Sequence, residues 1–353
     1  MSRQYTDERD NIYDDSYPEN NMEITEESYG DKETSYDYVN ENNFDRRKSN
    51  EYKRKYKSRK KKKRLLRFLA ALFGIALSVI LVIFVIGWLM SFILPTQTNF
   101  LIMGTDQEGT RTDTLMFCTY NKENDKISIV SIPRDTYVTV DDETYEKMRK
   151  SYPEPGSKSM KINTVHHFGG EEYGVDMVID QVESIMNRDV DFYAKVNFEM
   201  FRYIIDSVGG VEFYVPQNMK YYDPYQNLNI DLQEGLQTLD GDMAEQLVRF
   251  RSGYANADLG RIDIQQQFIK AFISQTLSKG KILSNPGVYF NVLFKYDYVE
   301  TNAGLMDALS YAFLLGGIDT ENIETQTLPG KSAYKSGQSV YIADKSSIET
   351  LFE

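Results

Sequence analysis

Four polar clusters, each flanking an apolar run, carry the residue types that could hold an anion and a hard cation together. The first is GTDQEGTRTDT at 104–114, with Asp106, Arg111 and Asp113. Arg111 and Asp113 stand two apart, a spacing that puts both side chains on one face of an extended chain. Carboxylates with no His or Cys beside them favour an oxygen-seeking cation such as Mg2+, with Mn2+ as a substitute. The plainer alternative is a charged surface loop with one Arg–Asp pair. The second cluster, SIPRDT at 131–136, sets Arg134 just past a strand and a proline. That is the strand end at which α/β sheets bind ligands. The third, KINTVHHFGG at 161–170, offers Lys161 as a point charge for phosphate. Its two histidines, His166 and His167, suit helix or loop packing better than catalysis.

The fourth cluster is RFRSGYANADLGR at 249–261. On a helix Arg249 and Arg251 would diverge by about 200°. On extended chain they converge, so the helix from Gly241 is expected to end near Val248. Asp258 precedes a helix expected to begin near Gly260 or Arg261. An arginine in a first helical turn opposes the partial positive charge there, and a bound anion removes the conflict. Gln265, one turn on, shares the face of Arg261, while Phe268 and Phe272 form the stripe that docks the helix. Together Arg111, Arg134, Lys161, Arg249, Arg251 and Arg261 make a cationic set whose guanidinium forks suit a metal-bound pyrophosphate.

The elements that must position these residues alternate in type. Short β-rich runs at 98–106, 114–120, 126–134, 193–198 and 211–216 read as strands. Helical periodicity marks 175–187, 198–207, 241–248, 261–278 and 302–315. The stretch 141–160 is polar and carries Pro153, Pro155 and Gly156, so an irregular loop is expected there. This order predicts a three-layer α/β/α domain around a central mixed sheet.

Composition divides the chain. Residues 1–64 hold almost no aliphatic side chains and pass from acidic to polybasic, so a disordered tail is expected. A transmembrane helix is expected over 65–95. Its uncharged stretch of about 27 residues, at 68–94, exceeds what a hydrocarbon core of about 30 Å requires. Lys and Arg crowd the segment before it, and none follows until Arg111. The positive-inside rule puts the N-terminus in the cytoplasm and the 96–353 domain outside the cell membrane. Group transfer there must work without ATP, from a donor already energised in the membrane. A net charge of −13, with the basic surplus confined to the tail, argues against nucleic acid as a partner of the folded part. Cys118 is the single cysteine, which excludes an internal disulfide.

The pieces GTDQEGTRTDTLM, SIPRDTYV, KINTVHHFGG, LDGDMAEQLVRFR and DLGRIDIQQQ, in that order, resemble the LytR–CpsA–Psr family of Gram-positive surface proteins. The resemblance runs from about 99 to 271 and more weakly to 353. It implies a phosphotransferase that moves teichoic acid, capsule or a similar glycan from undecaprenyl pyrophosphate to peptidoglycan, and an apolar groove for the polyprenyl chain. It further implies that Asp106 and Asp113 hold Mg2+ and that Arg111, Arg134, Arg249, Arg251 and Arg261 grip the pyrophosphate. Asp258 and Gln265 match further polar positions near that site, and either Asp113 or Asp258 would serve as general base. Two positions depart from the family pattern: Gln107 and Ile264 stand where arginines are usual. Competing readings are a lipid-pyrophosphate pyrophosphatase, a membrane-bound transcriptional regulator, which charge and direction oppose, and a wall-binding scaffold.

Overall fold

The computed structural model describes residues 41–226, 228–254, 257–276, 299–315 and 318–352. The chain forms two units, Met1–Phe73 and Gly74–Glu353. The first helix, α1 (Glu41–Ile93), is long and apolar enough in its second half to cross a membrane. Large apolar side chains lie open along it, Leu66 at 72% and Ile93 at 71% exposure. Such a helix is stable only where its surroundings are apolar too. Residues 41–64, expected within the disordered tail, are helical. Lys, Arg and Glu are good helix formers, and a helix already nucleated extends without a second nucleation cost. Residues 1–40 lie outside the described residues.

Three antiparallel strands follow: β1 (Gln97–Thr105), β2 (Thr112–Asn121) and β3 (Lys126–Ile132). Next come β4 (Tyr137–Thr139), α2 (Asp142–Ser151), β5 (Ser159–Lys161), α3 (Ile162–Met186) and β6 (Phe192–Val196). After α4 (Phe198–Ser207) the chain forms β7 (Val211–Val215), β8 (Met219–Asp223), β9 (Leu228–Leu232) and β10 (Gly235–Leu239). Helices α5 (Gly241–Arg249) and α6 (Ala257–Thr276) precede β11 (Val299–Thr301) and α7 (Leu305–Leu315). The chain then adds β12 (Ile323–Thr327) and the hairpin of β13 (Gly330–Lys335) and β14 (Gln338–Ala343).

Six strands form the central sheet in the order β11-β6-β1-β2-β3-β12. It is mixed as expected: β6 runs parallel to β1 and β12 parallel to β3, while the other pairs are antiparallel. The middle strand β2 is buried on both faces. Leu115 and Phe117 join Val175, Val178 and Val182 of α3 in one cluster. Met116, Cys118 and Tyr120 join Tyr311 of α7, with Ile269 and Ile273 of α6, in another. Those two clusters are the three-layer arrangement. A third gathers β7–β10 and α5 against Ile264 and Phe268 of α6.

Two further expectations fail. The stretch 141–160 is not all loop, because α2 starts on an Asp141 side chain that accepts the Thr144 N–H. Acidic residues fill its first turn and Arg149 and Lys150 its last, and only Thr144 and Met148 are buried. Capping and charge therefore mark this helix where apolar periodicity is too sparse to do so. Helix α3 begins thirteen residues earlier than the periodicity of 175–187 suggests, and it kinks at Gly170, whose φ is 66°.

Candidate active site

The C-terminal ends of β1 and β3 and the start of β2 lie at one edge of the sheet. There the β1–β2 register slips: Gly104 pairs with Thr114 and Thr105 with Thr112, so Asp113 is the extra residue of a β-bulge. A bulge breaks strict alternation and re-aims a side chain. The expectation that Arg111 and Asp113 share a face by spacing of two is corrected accordingly.

Asp113 is the meeting point. Its Oδ1 accepts from Arg134 Nη1 at 3.0 Å, its Oδ2 from Arg251 Nη2 at 3.4 Å, and its backbone carbonyl from Arg261 Nη2 at 3.5 Å. Arg134 leaves the tight 133–136 turn after β3, where the Thr136 N–H donates to Pro133 O. Arg251 follows Phe250, the buried, extended C-cap of α5. Arg261 sits one turn inside α6, which begins at Ala257 rather than near 260, and is only 3% exposed. Burial pushes the Asp113 carboxyl up, but Arg134, Arg251 and Arg261 outweigh it and hold it below the usual carboxylate range. Guanidinium groups from three separate segments thus converge on one aspartate, two on its carboxylate and one on its backbone carbonyl, a grouping that sequence distance hides.

Asp106 shapes its own loop. Its Oδ1 accepts the N–H groups of Thr110 (2.8 Å) and Arg111 (3.1 Å), and Gly109 turns with φ 73°. Its backbone N–H donates to Arg111 O at 2.9 Å, so Asp106 stays beside the Thr105–Thr112 pair and at the edge that carries Asp113. Arg111 is exposed on this loop and has no ion pair among the described residues. A cavity of about 10 Å³ adjoins Asp113, lined also by Ser131, Arg134, Arg261 and Gln265 among others. Gln265 spends its amide N–H on Val248 O at 3.0 Å, locking α6 to the end of α5.

Two of the expected residues turn elsewhere. Arg249 is the last residue of α5, not extended chain, so it parts from Arg251. It donates to Glu245 Oε1 at 2.8 Å and Gln226 Oε1 at 3.1 Å and lies over the Phe198 ring. Glu245, buried and also paired with Arg202, stands at i,i+4 spacing to Arg249, the one signal for this pair that the sequence carries. Lys161 pairs with Asp135 at 3.0 Å. The side chain of Asp258 lies outside the described residues.

The donor set bears on which cation could sit there. Among the described residues no three Asp, Glu, His or Cys side chains gather, so none there form an all-protein cage. Mg2+ does not need one, since it takes one or two carboxylates and completes its shell with water and substrate phosphate. Asp106 and Asp113 fit that pattern. Their oxygens keep lone-pair capacity, and the buried Thr112 Oγ1 and Ser131 Oγ have no hydrogen-bond partner among the described residues.

The model of the LytR_cpsA_psr family matches residues 92–353. A polyisoprenyl-teichoic acid–peptidoglycan teichoic acid transferase TagU of Bacillus subtilis is 30% identical over 71% of this chain and 74% of its own. The TagU of Oceanobacillus iheyensis is 29% identical over 64% of this chain, and the match spans 66% of that relative's length. The crystal structure of B. subtilis TagV superposes with a TM-score of 0.59 at 25% identity, covering 73% of this chain and 95% of that one.

Proposed function

The chain belongs to the LytR_cpsA_psr family, and on that footing we propose that it transfers a glycopolymer from undecaprenyl pyrophosphate to peptidoglycan. The observation that carries this reading is the convergence of Arg134, Arg251 and Arg261 on Asp113. A pyrophosphate needs several fixed cations around it, and these come from the end of β3, the α5–α6 connection and α6.

In the proposed reaction an acceptor-sugar hydroxyl attacks the sugar-bearing phosphorus. A new P–O bond forms, the bond to the bridging oxygen breaks, and undecaprenyl phosphate departs with the electron pair. Catalysis of this kind is mostly positioning and charge stabilisation. Arg134, Arg251 and Arg261 orient the two phosphates and neutralise charge on the departing one, with Arg111 closing from the exposed loop. Asp113, held ionised by its guanidinium neighbours, is a weak proton acceptor. Asp258 is then the carboxylate assigned to take the hydroxyl proton. Asp106 and Asp113 would hold Mg2+, which would supply further neutralisation of phosphate charge. The helix α1 anchors the protein in the membrane that carries the donor, with the 96–353 domain outside.

The test uses the full-length protein in micelles with a polyprenyl-pyrophosphate-linked glycan and peptidoglycan fragments. Glycan joined to the acceptor through a phosphodiester is expected, with Arg134→Ala and Arg251→Ala each slowing it about 100-fold or more. Hydrolysis of the donor without coupling would replace this reading with a pyrophosphatase.

A further inference from the structure

The 161–170 segment holds a histidine that the arginine cluster leaves unused. His166 is 5% exposed and meets two polar partners. Its Nδ1 lies 2.9 Å from Thr110 O, and its Nε2 lies 3.4 Å from Lys195 Nζ, which also pairs with Glu300. A carbonyl can only accept and an ammonium can only donate. Both contacts therefore require one tautomer, neutral imidazole with the proton on Nδ1. The ring occupies a slot built for it. A Cβ on Gly174 would stand 3.2–3.3 Å from ring atoms and 2.7 Å from His166 O. The kink at Gly170 is what folds Gly174 back against this turn. His167, by contrast, packs against Tyr152 and Phe168.

Thr110 belongs to the loop whose N–H groups hold the Asp106 carboxylate. We propose that His166 is a positioning residue: by donating Nδ1–H to Thr110 O it fixes the 106–111 loop, and through it Asp106 and Arg111, relative to the sheet edge that carries Asp113. Lys195 of β6 sets the tautomer, and Glu300 of β11 sets Lys195, so the loop is braced from the outer strands of the central sheet. The inference rests on the functional reading above only for what the loop binds, not for the brace itself.

Three variants of the full-length protein in micelles separate this role from plain packing. His166→Asn puts an amide donor near the Nδ1 position, His166→Gln puts one near Nε2, and His166→Phe keeps bulk without either. Hydrogen exchange at the Thr110 and Arg111 amides is expected to quicken in the Phe and Gln variants and to stay slow in the Asn variant, with β2 and β3 unchanged. Affinity for Mn2+ with inorganic pyrophosphate is expected to fall about tenfold or more in the Phe and Gln variants, as for other groups that orient a ligand, and to recover in the Asn variant. Unchanged loop exchange in His166→Phe overturns the proposal, and so does equal loss in all three variants. If wild type binds no pyrophosphate at all, the functional reading fails while the exchange comparison still decides the brace.

Discussion

Removing the charge of Asp113 would leave Arg134, Arg251 and Arg261 around a common point without the carboxylate whose charge now offsets part of theirs. A single partner taken from a buried ion cluster costs more than the pair itself was worth, because the remaining charges stay desolvated. With 24% of the Asp113 side chain in water, Asp113→Asn is expected to cost about 3 kcal/mol, the low end of the range for buried pairs. The same variant vacates a site for anions. Inorganic pyrophosphate without divalent metal should then raise its melting temperature more than that of wild type, read by thermal shift at equal ligand concentration. An identical shift in both would mean that the three arginines do not form one anion site. The buried arginine at 261 belongs to this argument, since a guanidinium only 3% exposed is tolerable where opposite charge is close.

At the scale of elements, two connections do work that neither flanking strand does alone. The β-bulge turns Asp113 out of the ladder, and the turn between β2 and β3 reaches the end of α1. Lys122 of that turn donates from Nζ to Ser91 O and Phe92 O, each at 3.0 Å, and its backbone N–H donates to Thr96 O at 2.8 Å. The last carbonyls of a helix have no partner within it, and a cation there also complements the helix dipole. Lys122 therefore joins the apolar helix to the sheet as a C-terminal cap. Lys122→Met should speed hydrogen exchange at residues 91–96 and leave exchange in β1 and pyrophosphate affinity unchanged. Equal protection at 91–96 in the variant would show that apolar packing around Leu94 alone holds the junction.

For the whole molecule, the charge distribution carries the prediction. The basic run ahead of the apolar helix and its absence afterwards are the features on which the proposed orientation, with the folded domain outside the cell, rests. In protoplasts, added protease should remove the 96–353 domain and spare an epitope at the N-terminus. Protection of the domain with loss of the N-terminal epitope would reverse the orientation and remove peptidoglycan as an accessible acceptor. A domain so oriented would meet lipid-linked donor and wall together, and neither ATP nor DNA.

The layered fold was legible from local pattern, as were the clusters from which Asp113, Arg134, Arg251 and Arg261 come together. Strand runs such as TLMFCTY are apolar on both faces, and the Asp and Arg clusters stand at the ends of such runs. Local pattern did not reveal α2, whose capping and charge outweigh a faint apolar stripe. Nor did it reveal that Arg249 ends a helix and turns to Glu245 while Arg251 turns to Asp113. Spacing of two has opposite meanings on helix and strand, and a one-residue bulge reverses it again. Partners separated by 138 residues, as Arg251 and Asp113 are, leave no periodic signal. The sequence by itself determined which charges exist and which apolar runs they flank. Only the tertiary structure decided which of those charges face each other, because that depends on where the packed helices and the slipped register bring distant chain ends.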